Sequence, residues 1–240
     1  MILLGLAATA LSLPSYVESS GIMNAPVEHN WDDSDPMAAY AWLDERLQHR
    51  IGAISHRGRL AVSAGFAEWI AFRLKPFCSD PLLFHKIEAI YAGIVDWRYM
   101  SSQALPSRRD YLGATRAPLW EAAKLIDKMV DLTKRKQFAT PESVCLSFLA
   151  LHVIPNPKPF KDWRRFAIGR LTTLYPLDRD IPLGPPVPRD ALNPDLDYKP
   201  EMAHQLLSKF LKSLDPRTNP YLRSAPEMIA AGFEGTPYSL

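Results

Sequence analysis

Cysteine is nearly missing from this chain. Its 240 residues hold two, Cys78 and Cys145, and neither sits in a metal-ligand spacing. That excludes a zinc knuckle and a disulfide-stapled scaffold, and leaves small apolar filler as the expected role of both thiols. Glycine is also sparse, at 11 residues, and nowhere forms a phosphate-cradling loop or a dinucleotide-binding turn. No His-Glu-x-x-His and no Gly-x-Ser-x-Gly occurs, so no catalytic residue, metal ligand or cofactor is assigned from motifs. A surplus of one charge is missing too. The 28 basic residues against 26 acidic ones leave a formal +2, far from the footprint of a non-specific nucleic-acid binder. No apolar run approaches the roughly 20 residues that span a bilayer.

The longest apolar stretch, residues 1–13, contains no lysine or arginine, and Arg46 is the first in the chain. A signal peptide needs a basic leader, so a buried N-terminal helix in a cytoplasmic protein is the favoured expectation. Export, with Ala8-Thr9-Ala10 as the cleavage site, is the first alternative. A start at Met23 is the second.

What the chain has in quantity is proline, 22 residues of it. Proline suits the first position of a helix, where its missing N–H would go unpaired anyway. Pro36, Pro81, Pro118, Pro141, Pro157 with Pro159, and Pro200 each precede apolar residues at helical spacing. Asp35, Asp80 and Thr140 stand directly before three of them as N-cap residue types. The stripes are Tyr40, Leu43, Leu47, Ile51 and Ile54; Leu83, Ile87, Ile90, Ile94 and Trp97; Leu119, Ala123, Ile126 and Val130; Phe160, Trp163, Ala167, Leu171 and Leu174; and Met202, Leu206, Phe210 and Leu214. Val62, Phe66, Ile70 and Leu74 predict a further helix after a turn at Gly58. Residues 144–154 are apolar nearly all round, which predicts the helix at the centre of the bundle. Ser224 and Glu227 match a capping box, with Gly232 as the stop.

These signals predict an all-α fold: a single compact domain over residues 1–240 with about eight helices and a long proline-rich ordered loop. Residues 24–175 form the helical core, 176–200 the loop, and 201–240 the C-terminal helices and tail. The repeat of Ser-Asp-Pro at residues 34–36 and 79–81 suggests a short α-solenoid as the alternative, although no third copy follows.

The loop carries seven prolines and five aspartates in 25 residues. Helical domains have no structural need for so long a link, and long ordered loops are often functional. Pro185-Pro186-Val187-Pro188 favours polyproline II, which loses little entropy on binding. Its aspartates lack the ligand ladder of a calcium loop and read as turn residues.

Other candidates are weaker. Glu45 with His49, and His85 with Glu88, lie at helical spacing but not in the repeated order of a di-metal bundle, so they read as solvent-facing pairs. Cys145 and His152 share one side of a helix, too far apart for a nucleophile and its base, and read as core residues. Lys134, Arg135 and Lys136 suit the negative end of a helix dipole. Lys161, Arg164 and Arg165 share a basic helix face.

The leading functional expectation is therefore a non-catalytic helical protein-binding module of the adaptor, assembly-factor or immunity-inhibitor kind. Its partner is another protein, contacted through Leu183, Pro185, Pro186 and Val187 of the loop or through Lys161, Arg164 and Arg165. The alternatives are a helical hydrolase with a histidine/acid site and a nucleic-acid-associated helical module.

Overall fold

The computed structural model describes residues 10–240, and within them every regular element is a helix. The elements are α1 (Ser15–Glu18), α2 (Glu45–Gly52), α3 (His56–Leu74), α4 (Leu82–Val95), α5 (Gly113–Lys134), α6 (Thr140–Val153), α7 (Lys158–Leu174), α8 (Ala203–Ser213) and α9 (Ala225–Ala230), with six short 3₁₀ turns between them. One hydrophobic cluster runs from Leu11 to Phe233. No described helix is long and apolar enough to cross a membrane. The expected N-terminal helix falls largely on residues outside those described, and residues 10–13 are not helical.

The proline signals hold unevenly, for local reasons. Pro141 and Pro159 lie in the first turns of α6 and α7, and the capping box at Ser224 opens α9. Pro81 stands just ahead of α4, where Asp80 Oδ1 accepts the Leu82 N–H at 2.9 Å. Pro36 opens only a 3₁₀ turn; α2 starts at the Asp44 cap, which leaves Leu43 75% exposed and outside its predicted stripe. Pro118 sits inside α5 rather than at its start. It lacks the N–H that would bond the Ala114 carbonyl, and His29 Nε2 meets that carbonyl instead at 2.9 Å. Gly58 likewise lies within α3, which the Ser55 side chain caps.

The centre of the bundle is α3, not residues 144–154. Of its 19 residues only Arg57 escapes full burial, and it packs against α4, α5, α6 and α7. A solenoid helix would touch its neighbours in the stack alone, so the α-solenoid alternative fails. Helix α6 packs on α2, α3 and α5 and leaves Cys145, Phe148, Leu151 and His152 partly uncovered. The polar residues of α3 disguise it. Arg59 donates to the carbonyls of Ile54 and Gly52 at 2.8 and 3.1 Å, and Arg73 to those of Val153 and Pro26 at 3.2 and 2.7 Å. Ser63 bonds Ser143 at 2.8 Å, and Glu68 holds Arg189. Each is a buried polar group with its partner supplied, as burial requires.

Candidate functional site

The proline-rich loop is tied down along its length. The Ser55 N–H reaches the Tyr175 carbonyl and the Leu177 N–H reaches that of Ala53, at 2.9 and 2.8 Å. His56 and Arg57 then donate their N–H groups to the carbonyls of Pro182 and Leu183, at 2.9 and 3.0 Å. Gly184 has φ of +69°, and a Cβ there would come 2.5 Å from the Ser55 side chain, so glycine is required at this crossing. Further on, Trp163 Nε1 holds the Leu192 carbonyl at 3.0 Å, and Arg170 gathers the carbonyls of Ala191, Asn193 and Leu196. Backbone carbonyls that would otherwise be orphaned are thus matched to N–H groups at the start of α3 and to side chains of α7.

This bracing sorts the residues expected to meet a partner. Val187 is fully buried in the core, so it is not on any docking surface. Leu183 and Pro186 are half-buried and Pro185 is exposed. On α7, Lys161 and Arg165 face solvent, but Arg164 turns inward and donates to Ser147 Oγ at 2.7 Å. Arg165 pairs with Asp162 at 3.7 Å, which further thins the expected basic face.

Where the loop crosses the start of α3 it walls a cavity of about 400 Å³. Asp180, Ile181, Pro182 and Leu183 of the loop line it together with Trp97, His56, Thr133, Lys134 and Lys136. This lies at the small end of the roughly 300–1,000 Å³ typical of ligand sites. Beside it Phe138, 64% exposed, sets its ring edge-on to His56 with centroids 5.7 Å apart, and Ile181 is 65% exposed. His56 itself is only 4% exposed, and its Nε2 is buried with no partner among the described residues. Burial, with Arg59 adding to it, holds the His56 pKa below its ordinary 6.5. The imidazole is therefore neutral at pH 7, with Nε2 buried and unpartnered among the described residues.

Lys134 and Lys136 enter the site through the end of α5. The Gln137 N–H returns to the Leu132 carbonyl at 2.8 Å, which closes the helix in a Schellman-type turn. Lys136 takes the left-handed position of that turn, with φ of +59°, where glycine is the usual residue. Neither lysine pairs with a carboxylate among the described residues. Lys134 Nζ instead stands 5.9 Å from the centre of the Trp97 ring.

The remaining histidines do not build a second reactive centre. His49 is exposed on α2, as expected, but His85 and Glu88 are buried on α4 rather than solvent-facing. Both point into the interior because α4 is covered on all sides. His85 lines a second cavity of about 310 Å³, whose Asp80 already accepts from Tyr111 at 2.8 Å and Arg116 at 3.4 Å. His152 is not a core residue: its Nε2 meets the Asn30 carbonyl at 2.7 Å and its ring lies 5.4 Å from that of His29. Cys145, two turns away on α6, is half-exposed, and burial raises its thiol pKa, the reverse of an activated nucleophile. Among the described residues no group of three or more histidines, cysteines and acids is placed to hold a metal.

Burial likewise lowers the pKa of His85, against the pull of Glu88 and Asp80. An unfolded chain takes up these protons near pH 6.5, while the folded state resists them. Stability is therefore expected to be full above that pH, to fall as pH drops through it, and to level off below the depressed folded values. Each histidine contributes at most about 1.4 kcal/mol per pH unit. Urea midpoints between pH 7.5 and 5.5 should decline, and less steeply in His85→Gln. A flat profile in the native chain would contradict this.

No family model matches the chain, and no curated protein or solved structure matches it either.

Proposed function

We propose that this chain is a non-catalytic helical binding module that engages another protein at the cavity between the proline-rich loop and the end of α5. The observation that carries this reading is exposed apolar surface, Ile181 and Phe138, set beside the basic run Lys134, Arg135 and Lys136. Apolar anchors inside a charged rim are the anatomy of a protein interface core, and a braced wall limits the ordering cost of association. The loop serves here as a rigid wall, and Ile181 rather than the 185–188 proline run supplies its exposed apolar contact.

The test uses the immobilised full chain and an Ile181→Asp variant as paired baits. Ile181 is exposed, so the variant should keep its thermal midpoint. A partner captured by the native chain is expected to be lost from the variant and retained by Lys161→Ser, which changes α7 instead. Equal capture by Ile181→Asp would overturn the assignment to this face and return attention to Lys161 and Arg165.

A further inference from the structure

The cavity is specific enough in charge to name the group it takes, granted that it is the binding face. We infer that it accepts a single carboxylate carried on an apolar group, as at the end of a polypeptide closing on an apolar residue or in a short free acid. Lys134, Lys136 and Asp180 line it, so the lining carries one positive charge in excess, with Asp127 acting on Lys134 from farther off. A monoanion balances that charge. The apolar wall of Ile181, Pro182, Leu183 and Trp97 gives its carbon body a dry surface.

Two details exceed what a helix end alone explains. Cations do suit the carbonyl end of a helix. The dipole, however, does not ask for a lysine in a left-handed conformation, where glycine would fit without strain. This left-handed lysine is one of the residues that line the cavity. The second detail is His56, which lines the same cavity and whose Nε2 is buried with no partner among the described residues. Buried polar atoms normally find one, and a carboxylate that displaced the cover over this ring would accept its proton in the Nε2–H tautomer.

The test is calorimetric titration of the full chain at pH 7.5 with four probes. They are an acetylated hexapeptide ending in leucine with a free carboxylate, its carboxamide, hexanoate and hexanamide. A hydrogen bond to a charged group predicts that each acid binds about ten-fold or more tighter than its amide. Lys136→Gly and Lys134→Ser should each erase most of that preference while leaving amide binding unchanged. Ile181→Ser should weaken acid and amide alike. Equal affinity for acid and amide, no binding of any probe, or a preference that survives both lysine changes would overturn the inference.

The two sources separate in the same experiment. Peptide binding well above hexanoate identifies a chain end and agrees with a protein partner. Hexanoate binding as tightly as the peptide keeps the carboxylate inference and overturns the protein-partner reading. Conversely, partner capture that depends on Ile181 without any acid preference leaves that reading standing and overturns this inference.

Discussion

Arg189→Met is expected to cost about 3–5 kcal/mol, the range for removing one partner of a buried ion pair. Glu68, on the central helix, is 1% exposed, and both its oxygens accept from Arg189 at 2.7–3.0 Å. The same guanidinium donates to the Ser12 carbonyl at 2.7 Å, so it joins the N-terminal segment, the proline-rich loop and α3. Burial works against the arginine charge, and Glu68 more than restores it, so the Arg189 pKa lies above its ordinary value. Without Arg189 the Glu68 carboxylate would stay buried with no counter-charge. Glu68→Leu with Arg189→Met removes both charges and should recover most of the loss, because the pair itself repays little beyond its own desolvation. Urea unfolding of the two variants checks this. A single-variant loss below about 1 kcal/mol would show that water reaches Glu68 freely.

Trp163→Ala carries the second large effect, about 3–5 kcal/mol for emptying a buried aromatic site. The indole lies 5.6–6.0 Å, centroid to centroid, from the rings of Tyr16, Phe66, Trp69 and Phe160. It fits against α3 only because residue 65 is glycine, since a Cβ there would come 2.7 Å from the indole. Its Nε1 also holds the loop through the Leu192 carbonyl, so the loss should be uneven. Amide exchange should quicken most over residues 188–193, before the rest of the molecule opens. Uniform quickening would mean that Trp163 braces the core without anchoring the loop.

What could be read in the sequence divides along a physical line. Helix starts set by local chemistry were legible, as at Pro141, Pro159 and Ser224, because caps act within one turn. Pro118 was misleading because its cost is relieved by His29, which meets the Ala114 carbonyl from 85 residues away in sequence. The helix over residues 59–74 was legible, but its central position was missed because periodicity counts apolar residues only. Arg59, Glu68 and Arg73 look like solvent-facing residues, yet each is buried and holds an irregular segment in place. The same blindness affected the loop. Its order was evident from spaced apolar residues, but Val187 belongs to the core while Ile181 is left outside. Of the cavity, only Leu183 stood out as a candidate. His56, Trp97 and Lys136 come from three separate elements, and a left-handed lysine leaves no mark in a string of letters.

Lys136 combines a strained left-handed backbone with a place in the lining of the proposed site. One preparation of Lys136→Gly, measured for both urea midpoint and acid-peptide affinity, tests that site most directly. Relief of the left-handed backbone, net of glycine's greater unfolded-state entropy, should raise stability by about 0.5–1 kcal/mol. The same change should lower affinity for the free-acid peptide by about ten-fold. A more stable protein that binds less well is the predicted result. A variant that gains stability while keeping its affinity would contradict the account, because Lys136 would then do nothing but end a helix.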